Sequence, residues 1–232
     1  MEYIAHRGVH DVFTENTLDA FQRAIDLGFH GIELDVHVTA DGVCVVNHDE
    51  SVVTSRVALS IRGTYYDTLH AAAPLLPRLD AVLELVSGKA HAYVEIKNRE
   101  VEVELAEVIR RSSAEASVHS FDHEVILRMR QLLPQLRTGI LQTSRLVDSA
   151  HALRAAGATD LWQWHEFVDR ALVEQVTAAG GRGIVWTANT PSEWRVFDDL
   201  GVAAICTDLP ISPTLASTRS THPRGPSLDA NH

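Results

Sequence analysis

Lysine is nearly missing from this chain: Lys89 and Lys97 are the only two among 232 residues, and with 20 Lys and Arg against 31 Asp and Glu the formal net charge is −11. Nucleic-acid backbones attract clustered basic side chains, so this deficit argues against a nucleic-acid partner. An anionic ligand would need positive charge gathered at one place. Cysteine is equally sparse, and Cys44 and Cys206 both lie in apolar runs, the setting of buried free thiols rather than of a disulfide or a metal ligand. No apolar run is long enough to span a bilayer, which excludes stable membrane insertion by a helix. Gly-rich phosphate loops, nucleophile elbows and zinc spacings are also missing. Ahead of the strand-like residues Tyr3 to Ala5 there is no basic region followed by an apolar leader, so a cytoplasmic location is the expectation.

What is present is regular. Hydrophobic residues at 45% and charged residues at 22% are ordinary for a soluble globular protein, and the length suits one domain with a substantial core. Eight β-branched runs recur at 3–6, 31–38, 92–97, 116–120, 137–141, 159–164, 183–188 and 203–207. Between them lie helical patterns. In the first, Asn16 or Thr17 can cap, Leu18, Phe21 and Ile25 share a face, and Gly28 closes the helix. Further helices are predicted near 79–87, 100–113, 122–133, 145–156, 166–179 and 191–200.

Alternation of this kind predicts an α/β protein with a parallel sheet. Eight units in a chain somewhat under the usual ~250 residues predict a closed (β/α)₈ TIM barrel, with an open doubly wound sheet as the alternative. Asp41-Gly42 between two strand-like runs reads as a hairpin extending the second strand. Residues 49–78 read as an irregular insertion. The single domain is expected to occupy 1–211, followed by a Ser-, Pro- and Gly-rich tail over 212–232 that is expected to be disordered.

The chemistry concentrates on two strands. Residues i and i+2 of a strand share a face, so in GIELDV the carboxylates of Glu33 and Asp35 project together while Ile32, Leu34 and Val36 point the other way. YVEIKN repeats the arrangement with Glu95 and Lys97. Acids turned into a barrel are costly unless paired or neutralised, and three converging carboxylates suit a hard divalent cation such as Mg²⁺, Ca²⁺ or Mn²⁺. The plainer reading is a surface-facing alternation or a salt bridge.

Thirteen histidines make any single one weak evidence. His10, His30, His37, His70, His91 and His151 read as solvated or packing residues. His6 and His48 differ, because each ends a strand-like run and is followed by turn chemistry, where the active face of a barrel lies. Ser120 reads as a strand-end hydroxyl making a local hydrogen bond.

In order, AHRG, ENT, GIELDV, TADG with NHD, VEIKN, SF, WTANT and TDLP resemble the glycerophosphodiester phosphodiesterase family over Tyr3 to Pro210. The resemblance implies a TIM-barrel enzyme that uses a divalent cation to cleave glycerophosphodiesters to glycerol 3-phosphate and an alcohol. It implies His6 and His48 as the catalytic pair, Glu33, Asp35 and Glu95 as metal ligands, Arg7 and Lys97 as phosphate contacts, and Trp186 as an aromatic wall. The chain departs from the family pattern at Thr14, commonly Pro, and at Val202-Ala203-Ala204, commonly Val-Asp-Gly. Its insertion at 49–78 is short, and Tyr65 and Tyr66 are candidates to line the substrate pocket. Two other readings compete: a lysophospholipase D activity on lysophospholipids, and an inactive barrel that only binds phosphodiesters. The resemblance also sets a geometric test. Strict alternation would send His6 and Arg7 to opposite faces, so their joint role requires the strand to end between them. Glu15, Asn16 and Thr17 are expected chiefly as turn and helix cap.

Overall fold

The computed structural model describes residues 1–55 and 57–211; the expected tail at 212–232 lies outside the described residues. The chain runs β1 (Glu2–Ala5), α1 (Leu18–Asp26), β2 (Gly31–Val38), β3 (Cys44–Val46), β4 (Ser51–Val53), β5 (Ala58–Ser60), α2 (Tyr66–Ala72) and α3 (Leu79–Val86). It continues β6 (His91–Ile96), α4 (Glu102–Arg111), β7 (Ala116–Ser120), α5 (His123–Leu132), β8 (Arg137–Gln142), α6 (Ser149–Ala156) and β9 (Asp160–Trp164). A 3₁₀ turn at His165–Phe167 precedes α7 (Arg170–Ala178), β10 (Arg182–Trp186), α8 (Pro191–Leu200) and β11 (Ala204–Thr207).

Eight of these strands are parallel neighbours, and β1 closes the ring by pairing with both β2 and β11. The fold is a closed barrel with helices between its strands. β3 adds an antiparallel strand on β2, with Val36 opposite Val46, as the Asp41-Gly42 turn predicts. The insertion is more ordered than the sequence suggests: β4 and β5 pair as a hairpin, and α2 follows, burying Leu69 against Val45, Val52, Ile61 and Leu76. No helix among the described residues is long and apolar enough to cross a membrane.

Side-chain alternation organises the interior. Ile32, Leu34, Val36, Val94, Ile96, Val118 and Ile140 face the helices and join the main core, where full burial of each is worth ~1.5–3 kcal/mol. Ile4, Tyr93, Leu141, Trp162, Ile184, Ala204 and Cys206 fill the barrel itself. Gly139 lets Trp162 in, since a β-carbon there would lie 3.0 Å from the indole. Both cysteines are free and buried. Thr17 caps α1 by accepting from the Ala20 amide, Phe21 is fully buried, and Leu18, expected on the same face, is 40% exposed because it begins the helix at the rim.

Below the aromatic layer, at the N-terminal ends of the strands, partly exposed charges gather around one buried acid, Asp160. Arg182 donates to Glu2 (2.7 Å) and lies 3.6 Å from the buried carboxylate of Asp160, which Arg137 approaches at the same distance. The Tyr93 hydroxyl donates to Glu2 (3.2 Å), and Arg137 lies 2.8 Å from the His91 ring. Burial, reinforced by Arg137 and Arg182, lowers the His91 pKa to about 3, so the ring is neutral and can accept from Arg137.

Candidate active site

β1 ends at Ala5, and the backbone then turns sharply: Arg7 and Gly8 have φ of +56° and +80°. The left-handed region is costly for arginine, and such costs gather where function demands the geometry. At Gly8 a side chain is excluded twice, by its φ and by the Ala20 backbone, 2.8 Å from where a β-carbon would sit. The turn brings His6 and Arg7 to one mouth. The Arg7 amide donates to Glu33 Oε2 (3.1 Å), its Nε lies 3.3 Å from Asp35 Oδ2, and its Nη1 donates to Glu15 Oε1 (2.9 Å).

Asn16, with φ +57° and 3% exposure, enters the same cluster. Its Nδ2 donates to Asp35 Oδ2 (2.8 Å), and its Oδ1 accepts from the Asp35 amide (3.3 Å). Only Thr17 of the Glu15-Asn16-Thr17 stretch is the helix cap; the other two hold Arg7 and Asp35.

The three acids are deeply buried, with Glu33 2%, Asp35 0% and Glu95 8% exposed. Lys97 bridges two of them, its Nζ 2.8 Å from Glu95 Oε1 and 3.0 Å from Asp35 Oδ1. Burial opposes ionisation of Asp35, but Lys97, Arg7 and Asn16 outweigh it and hold its pKa below the usual carboxylate value. Glu33 has less help. Burial first, and the charge of Asp35 second, push its pKa up to about 7. Burial likewise raises Glu95, against the opposing pull of Lys97. Glu33 Oε1 is buried without a hydrogen-bond partner, and Glu33, Glu95 and His119 each offer a ligand atom within 4.8 Å of the others. An orphaned oxygen among hard donors fits a divalent cation.

The histidines sort by their partners. His6 Nδ1 lies 2.6 Å from Asp208 Oδ1, and Nε2 lies 3.9 Å from Glu33. Burial opposes a charged ring, but the Asp208 hydrogen bond and the Glu33 charge prevail and raise the His6 pKa. Asp208, despite burial, is drawn down to about 2, chiefly by His6 and Asn189, so it is a pure acceptor and Nδ1 of His6 must carry the proton. Asn189 fixes Asp208 through both its amide group and the Asp208 backbone (2.6 and 2.9 Å).

His48 is more open, its Nδ1 2.8 Å from Asp49. Its loop is tied to the mouth where the Asn47 amide donates to the Asp35 carbonyl (3.0 Å). His37, read from sequence as a packing residue, is a buried strut: Nδ1 contacts Asn98 (2.5 Å), and Nε2 reaches the His48 carbonyl (3.2 Å). His10, read from sequence as a solvated or packing residue, lies 3.4 Å from Asp208.

Trp186 stands edge-on to Trp164 (centroids 5.1 Å apart) and Phe121 (5.5 Å), making an aromatic wall with the indole nitrogen buried and unpartnered. Tyr65 is largely exposed, and Tyr66 stacks on His70. Sequence reasoning did not single out His119, Asn189 or Asp208, and it gave Asn16 only a turn or capping role. The i, i+2 rule that exposed Glu33 and Asp35 would also have turned Ser117 and His119 inward.

A closed barrel with buried acids, two cations and acid-paired histidines at the C-terminal strand ends defines a phosphate-ester-handling enzyme of the TIM-barrel class. Residues 6–212 match the model of the glycerophosphoryl diester phosphodiesterase family, and the chain belongs to that family. A glycerophosphodiester phosphodiesterase of Caldanaerobacter subterraneus is 31% identical over 228 residues, spanning 89% of this chain and 93% of its own. Among solved structures, a glycerophosphodiester phosphodiesterase from Thermotoga maritima is 25% identical with a TM-score of 0.80, covering 90% of this chain and 94% of its own. An Oleispira antarctica phosphodiesterase solved with the product sn-glycerol-3-phosphate shares the fold, with a TM-score of 0.83 at 23% identity over 93% of this chain and 96% of the other.

Proposed function

We propose that residues 1–211 act as one domain that hydrolyses glycerophosphodiesters to sn-glycerol 3-phosphate and an alcohol, assisted by one divalent cation. The observation that carries this reading is the mouth itself: Arg7 and Lys97 are pinned among three buried carboxylates, and Glu33 Oε1 lacks a partner. Glu33 and Glu95, with Asp35 beside them, would hold Mg²⁺, Ca²⁺ or Mn²⁺. The ion would neutralise phosphate charge that otherwise repels a nucleophile.

Arg7 and Lys97 cover the remaining charge on the phosphoryl oxygens, Arg7 from a backbone turn fixed by Glu33 and Lys97 from the end of β6. His6 and His48 divide the proton traffic. One accepts a proton from the attacking oxygen, and the other donates to the departing alkoxide as its bond to phosphorus breaks. Each ring has a carboxylate against Nδ1, Asp208 for His6 and Asp49 for His48, which leaves Nε2 as the nitrogen free for transfer. Trp186 bounds the organic part of the substrate.

The test is a phosphodiester panel assayed with Mg²⁺, Ca²⁺ and Mn²⁺ in parallel, reading glycerol 3-phosphate. Glycerophosphocholine should turn over and lysophosphatidylcholine should not, and activity should vanish with chelator and in His6→Ala and His48→Ala. Full activity in chelator, or an active His6→Ala, overturns the mechanism. Metal-dependent binding without product across the panel points instead to an inactive binding barrel.

A further inference from the structure

His119 is the charged-site neighbour that the proposed mechanism leaves unused. It lies on β7 in register with Glu95 of β6, which is itself in register with Asp35 of β2, so the three side chains point inward from three adjacent strands at one level. The ring is 1% exposed and lies flat on Trp162, with centroids 4.1 Å apart and planes 10° from parallel. That stack leaves the ring edge free. Nδ1 is buried without a hydrogen-bond partner, and Nε2 lies 3.8 Å from Glu33 Oε1, beyond hydrogen-bonding distance. It is Nε2, not Nδ1, that faces the orphaned Glu33 Oε1, so Nε2 is the nitrogen an ion between them would meet. A bound ion is one accepted resolution of a buried orphan such as this oxygen.

We propose that His119 is a nitrogen ligand of the divalent cation, reaching it from inside the barrel, and that it biases the site away from Ca²⁺ toward Mn²⁺, Fe²⁺ or Co²⁺. This rests on the metal reading given above. Carboxylates alone suit Mg²⁺ and Ca²⁺, whose preferred ligands are oxygens; an added imidazole favours first-row transition ions. The ring needs no rearrangement to serve, because Trp162 already fixes its plane, and Gly139 makes room for Trp162. The aromatic filling of the barrel thereby becomes the support of a ligand.

The experiment uses the chelator-treated full chain reloaded with Mn²⁺ and examined by pulsed electron paramagnetic resonance, with and without ¹⁵N-histidine labelling. Wild type should give a nitrogen modulation that changes on labelling and disappears in His119→Gln. Calorimetric titrations should show Mn²⁺ affinity falling about tenfold or more in His119→Gln, with Ca²⁺ affinity within about twofold of wild type. Mn²⁺ bound without nitrogen coupling overturns the ligand assignment while leaving the metal reading intact, as does a coupling that survives in His119→Gln. Failure of Mg²⁺, Ca²⁺ and Mn²⁺ alike to bind wild type overturns both. Should His119→Gln not fold, His6→Asn separates the two histidines: the coupling persists there under this proposal, and its loss overturns it.

Discussion

At the floor of the barrel Glu2 and Asp160 face Arg137 and Arg182, whereas at the mouth Glu33, Asp35 and Glu95 face Arg7 and Lys97. Both clusters bury charge within one sheet, yet the floor is balanced and the mouth carries an unmatched carboxylate. The imbalance has a local signature. Asp160, whose Oδ2 also lacks a hydrogen-bond partner and whose pKa burial also raises, has two guanidiniums 3.6 Å away, while Glu33 is pushed to about 7 by burial and by the charge of Asp35 beside it. Removing one partner from a matched cluster is strongly destabilising, whereas an unmatched buried carboxylate marks a place where another charge can bind.

The contrast breaks most sharply if one acid is neutralised at each end. Glu33→Gln should lower kcat about 10³-fold or more, measured by coupled detection of glycerol 3-phosphate, while the metal-free protein melts no lower than wild type because a repelling buried charge has gone. Asp160→Asn should do the reverse. It leaves two guanidiniums without their shared partner and costs ~3 kcal/mol in urea unfolding, with kcat per folded molecule unchanged. Equal melting losses in the two variants would dissolve the distinction.

Within the mouth, Asp208→Asn removes the hydrogen bond that raises the His6 pKa. The limb of the pH–rate profile governed by His6 should therefore move to lower pH, with kcat down about tenfold to a hundredfold and KM little changed. The smallest effect concerns acidity. Glu33 has a folded pKa raised from 4.5 to about 7, so the metal-free fold loses stability as pH rises through that window and is not restored above it. A cation supplies the missing charge only once the proton has left. Apparent Mg²⁺ or Mn²⁺ affinity, followed as a rise in Tm, should be about tenfold weaker at pH 5.5 than at pH 8. A pH-independent shift would place the titrating group elsewhere.

Much of this was legible in the sequence. The eight strands followed from β-branched runs, and β2 and β7 occupy the predicted residues because both faces of each are buried and the signal is continuous. Glu33, Asp35 and Glu95 were readable because a period of two is local information. The insertion was not, since β4 and β5 have three residues each and α2 lacks a side-chain cap, too little for periodicity to register. Asp208 and the site role of Asn16 escaped for a different reason. Asp208 meets His6 across 202 positions only when β11 closes on β1, and Asn16 reaches Asp35 only through a left-handed backbone conformation that sequence does not advertise.

The His37 strut has a consequence for how such a protein can change. By gripping the His48 carbonyl and Asn98 together, it anchors His48 before the 49–78 segment begins. Asp49, which holds Nδ1 of His48, is the residue of that segment that the proposed chemistry uses. Beyond it the segment can be shortened, lengthened or exchanged for one of another shape, remodelling what the mouth admits while His37 and Asp49 keep His48 in place, much as a fitting is changed on a fixed mount.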